Sequence, residues 1–421
     1  MRKSLLSFAL LFFLFGTYQL LPKADSTTLM IARKFNRDIF DSNGVKYLQP
    51  MVQSINATSN SGFFNQAYVP SKVDKPYYRF GLHGMLGIVP DDLKTYKTIM
   101  PAKEFNLDEL QKYAHIEINW QDPSKSKVTI LDTVGLIYYA FQTIIYDGMQ
   151  KGRIKIPQTT PTVLGSKQAP RILVPHSATD SIIKENPIYP FLPKNIQDSI
   201  LNALNRLPEF FDLPQGLEMN TMYALVPQFE IGSLWGTELL LRFIPPVQWD
   251  VNIGEFAFWG IGLKHSISQY FEDFPFDLAI QAVYQGTYLK NQIGMTKADL
   301  KANATIWNFN LHASKHFENL FDVYTGFSSE FINIESDYIY TLSAQMQCDL
   351  GILQCEGNQA LPPNPPEYPG DTQPQKTHIS LSDSNFKWIL GISVPIEPVA
   401  LFLDMSISKF FMLSGGIEIR F

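Results

Sequence analysis

Seven histidines are scattered along this chain, and His312 and His316 are the pair at ligand-like spacing. They sit in "ATIWNFNLHASKHF", whose alternation reads as a β-strand. Four residues along a strand place two side chains on one face about two pleats apart, too far for routine sharing of one metal. No acidic helical partner accompanies them as in a zinc-protease motif, so they read as polar residues of a strand face or turn. "GSLWG" (Gly232 to Gly236) has the glycine spacing of a nucleophile elbow. That motif requires a strand-to-helix turn; here it lies between two β segments and reads as a hairpin turn. "GDTQ" and "DSN" are loop composition. A hydrolytic barrel would need an Asp–His–Ser set assembled in three dimensions, and no motif selects one. The expectation is a non-enzyme with no cofactor and no metal.

The elements that would position these residues are strands. "ATIWNFNLHAS" sets Trp307, Phe309 and Leu311 against Asn308, Asn310 and His312. "NFKWILGISV" aligns Phe386, Trp388, Leu390, Ile392 and Val394, and "VALFLDMSIS" aligns Leu401, Leu403, Met405 and Ile407 against Phe402, Asp404 and Ser406. "AHIEINW" alternates in the same way. A soluble sandwich gives such alternation too. Two features favour a membrane barrel: segments of ten or so residues, near the ~9–11 a tilted strand needs to cross, and polar residues such as Asn310, His312 and Lys264 on the other face, which a wet lumen tolerates. Aromatics at 13% and charged residues at 18%, against ~25% charged in soluble domains, suit that architecture. A net charge of −6 argues against nucleic acid as a partner.

The expected fold is all-β: a transmembrane antiparallel β-barrel of about twelve strands (ten to fourteen) over residues 76–421, with an N-terminal plug or cap and a helical loop insertion. Residues 1–24 read as a secretory signal peptide, with Arg2 and Lys3 before an apolar run from Leu5 to Phe15 that is too short to span a bilayer. No cysteine lies near for a lipid anchor. Residues 25–75 read as a plug or periplasmic segment, with "STTLMIARKFNRDIF" helical, against a disordered leader. A long insertion near 147–216 holds Ile196, Ile200, Leu201 and Leu204 at helical spacing, expected at the barrel mouth. A Pro-rich loop near 346–384 is expected outside and "PIEP" (Pro395 to Pro398) as a tight inner turn. "SQYFEDFP" reads as another inner turn, and the stretches around Pro245–Pro246 and Lys290–Leu300 as outer loops. Cys348 and Cys355, close together in an exported chain, are expected to form a disulfide.

The last eight residues, "SGGIEIRF", alternate Gly415, Ile417, Ile419 and Phe421 against Gly416, Glu418 and Arg420. Pairing the last strand with the first removes both sheet edges, with Ile417, Ile419 and Phe421 facing lipid and Glu418 and Arg420 the lumen.

"PTVLGSKQAP", "LVPQFEIGSLWGTELLLRFIPP", "GIGLKHSISQYFEDFPFDLAIQAVY" and "YLQPMVQSINATSNSGFFNQAYV" resemble an uncharacterised domain-of-unknown-function family of outer-membrane barrels of diderm bacteria, loosely grouped with FadL-like channels for hydrophobic compounds. The matching stretches cover about half the chain. The resemblance implies a plugged barrel in the outer membrane and no established activity. Ser414, Gly416, Ile419 and Phe421 resemble the C-terminal assembly signal of such barrels, which implies outer-membrane lipid and the barrel assembly machinery as partners. The leading expectation is uptake of small hydrophobic molecules, with Phe63, Phe64, Tyr68 and His312 as plug or lumen contacts, though packing explains the aromatics equally simply. The competing class is a non-transporting surface scaffold or a component of a secretion or motility assembly.

Overall fold

The computed structural model describes residues 24–421 except 74, 118, 120, 122–124, 126, 187–188, 251–253, 294–297, 318–319, 357–358 and 361–365. The expected signal peptide lies outside the described residues apart from Ala24, as do Ile118 and Trp120 of "AHIEINW" and part of the Pro-rich loop. Ten antiparallel strands close into a barrel: β1 (Tyr77–Ile88), β2 (Thr221–Leu234), β3 (Thr237–Asp250), β4 (Gly254–Ser266), β5 (Asp277–Ile293), β6 (Ala298–Phe317), β7 (Phe321–Tyr340), β8 (Gln375–Ile396), β9 (Val399–Ile407) and β10 (Phe411–Arg420). Each pairs with its neighbour in sequence, and β10 pairs with β1 from Arg79↔Arg420 to Ile88↔Phe411. Closure leaves no strand at an edge.

The count is ten where about twelve was expected. "AHIEINW" supplies one missing strand: Ala114–Glu117 pairs with Lys127–Ile130 in a small separate hairpin. It joins a cap of non-barrel chain spanning residues 89–220 and 341–374, both at one end of the barrel. The insertion is thus longer than 147–216 and the second loop ends earlier than 384. The opposite end carries shorter turns, among them Trp235–Gly236, the stretch around Ser268–Tyr270, and Glu397–Pro398. Pro245 and Pro246 lie within β3 rather than in a loop. They sit at a register shift opposite Ala257, where residues without an N–H are tolerated. Lys290–Leu300 is largely strand as well, because β5 and β6 extend to Ile293 and from Ala298.

Helix α1 (Ser26–Ser59) threads cap and barrel together. Asp25 caps it by accepting from the Thr28 amide at 2.8 Å. The helix runs well past the expected "STTLMIARKFNRDIF", through Pro50, because contacts on every side offset a proline's cost. Its first half lies in an apolar cluster of the cap, where Phe35 meets Phe141 and Phe211 edge-on at 5.0 and 4.7 Å. Besides a single turn at Leu107–Leu110, the cap's other α-helices among the described residues are α2 (Thr133–Gln150), α3 (His176–Glu185), α4 (Lys194–Leu204) and α5 (Ala344–Asp349). Ile200 and Leu204 of α4 are buried in this cluster, so the amphipathic helix packs within the cap. Cys348 and Cys355 are disulfide-bonded there, with Cα atoms 5.8 Å apart.

The second half of α1 descends into the lumen, where Val52 packs on Ile306, Ile332, Ile334, Ile379 and Leu381 of β6, β7 and β8. Residues 60–76 carry the chain on to the short-turn end, where β1 begins beside Phe421.

The tall strands β6–β8 change character along their length. In their lower parts the outward residues are apolar and exposed (Trp307, Phe309, Phe331, Phe386, Trp388), and the buried inward ones are polar (Asn308, Asn310, Ser328, Glu330, Lys387). Above Trp307↔Phe331↔Ser384 the pattern inverts. Outward positions become Lys301, Asn303, Asn333, Glu335, His378 and Ser380, all exposed, while inward ones become Ala304, Ile332, Ile334 and Ile379. The shorter β9 and β10, of 9 and 10 residues, carry only the lower pattern. At the bottom, Tyr78 stacks against Phe229 and Phe421 on the outer wall, at 6.1 and 6.5 Å between centroids.

Candidate functional site

Alternation that turns apolar side chains outward forces the polar parity of the same strands inward. The lumen therefore collects charges, and the chain end that α1 delivers must be compatible with them. A helix C-terminus offers unsatisfied carbonyls and the negative end of its dipole, and two wall cations meet it. Lys387 of β8 donates to the carbonyls of Ala57 and Asn60, both at 3.1 Å, and to Ser61 Oγ at 2.9 Å, and pairs with Glu330 of β7 at 2.6 Å. Arg242 of β3 donates to the carbonyls of Ser59, Ser61 and Gly62 at 3.1, 2.9 and 2.6 Å. Its guanidinium also lies 4.0 Å from the Phe63 ring, a cation–π contact. Gly62 has φ +65°, a conformation that favours glycine, which turns its carbonyl toward Arg242 and toward Nδ1 of His83 at 2.7 Å.

Below this cradle lies a second ion cluster. Arg79 contacts Glu230 at 3.1 Å, Glu238, and Glu418 at 3.8 Å. Lys264 pairs with Glu238 at 2.6 Å, and Asn65 of the descending segment donates to Glu418 at 2.8 Å. All of these charged side chains are buried. The lumen is filled on its axis by chain and by paired charge.

Of the residues expected at the plug, Phe63 and Phe64 are buried among Leu240, Val283, Tyr324 and Ile389. Phe64 stacks on His312 with centroids 3.9 Å apart. Tyr68 departs from the expectation: it is half exposed, turned away from the interior that its neighbours Ala67 and Val69 are buried in. His316 is at the short-turn end, its Nδ1 2.8 Å from Asp322. Among the described residues no group of three or more His, Cys, Asp or Glu is arranged for a metal ion. Glu418 is buried in the lumen, and Ile417, Ile419 and Phe421 are exposed on the outer wall. Ser414 is buried facing inward, and Gly416 approaches Phe402 and the Leu82 carbonyl closely enough to leave no room for a side chain.

Sequence reasoning singled out Lys264 but not Arg242, Lys387, Glu330 or Arg79. Their signal was parity: each is a charge at an inward position of a strand whose outward positions there are mostly apolar.

The wall is uneven at one place. β2 pairs with β1 along its length, from Thr221 to Gly232, and β3 pairs with β4 from Thr237 to Asp250. Between β2 and β3 the ladder runs only from Leu234↔Thr237 to Gln228↔Arg242. Above it, residues 221–227 and 243–250 are not paired with each other. Tyr223, Leu225 and Phe243 flank this seam on the outside and are exposed. Behind it lies an apolar cluster of Met85, Met222, Val226, Ile244, Phe258 and Met412 that includes Tyr47 of α1.

Solved structures similar to the chain include Ail, the attachment invasion locus protein of Yersinia pestis, at 7% identity and a TM-score of 0.21, over 44% of this chain and 93% of that one. Pseudomonas aeruginosa OpdO gives 8% and 0.13, over 83% and 98%. A mutant porin of Rh. blastica gives 12% and 0.11, over 50% and 82%. At such scores the ten-strand architecture stands on its own strand order. No curated protein matches the chain. One family does, over residues 1–421, and the chain therefore belongs to DUF6588, a family of unknown function.

Proposed function

We propose that this protein spans the bacterial outer membrane and takes up small hydrophobic molecules through the side of its barrel. The inversion of polarity on β6–β8 supports the membrane placement. Apolar side chains face outward over about ten residues per strand, the length a tilted strand needs to cross hydrocarbon, and polar ones face outward above that. With β10 ending in the periplasm, the cap lies outside the cell, and of the C-terminal residues Ser414, Gly416, Ile419 and Phe421 the last two stay exposed on the outer wall of the finished barrel.

The seam between β2 and β3 carries the uptake reading. Backbone groups inside a bilayer are costly to leave without partners, so a ladder that stops partway marks a place where the wall has another task. The axial route is closed by α1 and the ion clusters, whereas the seam is backed by apolar side chains. A molecule passing from the cap would leave sideways into lipid, as the loose resemblance to FadL-like channels implies. The filled lumen favours a second reading, a non-transporting scaffold whose cap is the working surface.

The test is uptake of a neutral apolar dye by vesicles with a lipopolysaccharide outer leaflet, containing the full chain or Val226→Asp. The expected result is protein-dependent uptake that is lost in the variant, at unchanged barrel levels. No uptake by the wild type would favour the scaffold, and equal uptake by both would remove the seam from the route.

A further inference from the structure

The cap contains an apolar groove that the barrel argument does not use. It runs between α2, the hairpin of Ala114–Glu117 with Lys127–Ile130, and helices α3 and α4, with an empty volume of about 730 Å³ including its open mouth. Two apolar clusters of the cap fail to meet here: one built on Leu110, Leu136 and Tyr139, the other on Ile144, Ile182, Ile183 and Ile200. Apolar walls with few polar groups are the usual lining of a small-ligand site.

Its polarity is specific. Asp147 is the one charged residue among the described lining residues. It is half-buried near the C-terminal end of α2, where the helix dipole adds negative potential. The nearest cations in sequence are committed elsewhere: Lys151 and Arg153 both bind Glu185, at 2.8 and 2.7 Å. Those two cations hold the Glu185 carboxyl down at about 2. Lys103 is 2.5 Å from Glu109. None of these lines the groove. A carboxylate ligand would thus meet like charge at the mouth and apolar wall beyond it, whereas a protonated amine would find a counter-ion.

We infer that this groove is a binding site for a small apolar amine, with its ammonium at Asp147 and its hydrocarbon body between Leu136, Tyr139, Ile144 and Ile183. The inference deepens the uptake reading, on which it rests for the purpose of capture, by making the cap the first stop for apolar cations and excluding fatty acids as preferred cargo.

The experiment is calorimetric titration of the full chain, held in amphipol, with 4-phenylbutylamine, 4-phenylbutanol and 4-phenylbutyrate. The amine should bind most tightly and the carboxylate most weakly, about tenfold apart, as expected for a half-exposed charge contact. Asp147→Asn should bring the amine to the level of the alcohol without affecting the alcohol. Ala140→Phe, which fills the groove from α2, should abolish all three with the circular dichroism unchanged. Equal or tighter binding of the carboxylate, no binding of any probe, or an amine preference that survives Asp147→Asn would overturn the inference. Binding without vesicle uptake would remove the transport reading and leave this site standing; uptake without binding would do the reverse.

Discussion

Strand β8 carries two opposite patterns in one unbroken run of 22 residues. Around Phe386 and Trp388 its apolar face looks outward and Lys387 looks in; around Ile379 and Leu381 the apolar face looks in and His378 looks out. The backbone is the same and the ladder to β7 does not break. On the proposed membrane placement, what changes is the solvent outside. Helix α1 registers the same change from within: its upper half is held by Phe141 and Phe211, its lower end by Lys387 and Arg242. Where water surrounds the wall, burial of apolar surface stabilises the core. Where lipid surrounds it, outward apolar surface gains nothing from moving inward, and hydrogen-bonded charge is left to organise the interior.

Four experiments test that contrast. Phe35→Ala in the cap should cost about 4 kcal/mol through the cavity it opens among Phe141 and Phe211, read from urea unfolding of the cap, and no polar replacement should recover it. In the lumen, Lys387→Met should cost about 3 kcal/mol because it strands Glu330. Adding Glu330→Gln should recover most of that loss. If the double variant is no better than the single one, the lumen is not organised by charge pairing. On the outer wall, Leu403→Lys should cost about 2 kcal/mol in a bilayer folding assay, whereas Ser380→Lys, above the inversion, should stay within about 0.5 kcal/mol. Equal costs at the two sites would abolish the proposed membrane boundary. The smallest of the expected losses belongs to Asp25→Ala, about 1 kcal/mol for the lost cap of α1. The Thr28 amide holds the Asp25 carboxyl below its ordinary 3.8. The cap's contribution is therefore fully present above that value and is lost as pH falls through the lower folded one. Wild-type thermal stability should carry that acid-limb dependence and the variant should not.

This contrast also explains what the sequence revealed. Alternation in "ATIWNFNLHAS", "NFKWILGISV" and "VALFLDMSIS" identified β6, β8 and β9 with the correct face outward, because the outward positions of these stretches are almost all apolar and the inward ones mostly polar or small. The upper part of β8, "KTHISLSDS", looked like loop, because its outward residues are polar and only Ile379 and Leu381 keep the period. "AHIEINW" misled for the complementary reason: a short hairpin lying on an apolar core alternates just as a barrel strand does. The lumen charges were visible one at a time, but their pairing was not, since Glu330 and Lys387 are 57 positions apart and meet only through the β7–β8 register. The seam left one trace in composition, Pro227, Pro245 and Pro246, which lie in its unpaired stretches and have no N–H to donate. It is a property of where a ladder stops.

The path of α1 has a consequence for how the protein is made. The described chain passes between the two ends of the barrel ten times as a strand and once more as α1 with the segment behind it. Eleven passes are an odd number, so Ala24 and Phe421 end on opposite faces. A helix with its side chains is about 10–12 Å across, and here it is gripped by side chains from β3 and β8 on both sides of the lumen. A finished barrel offers no clearance for that passage. The wall must therefore close around a helix already in place.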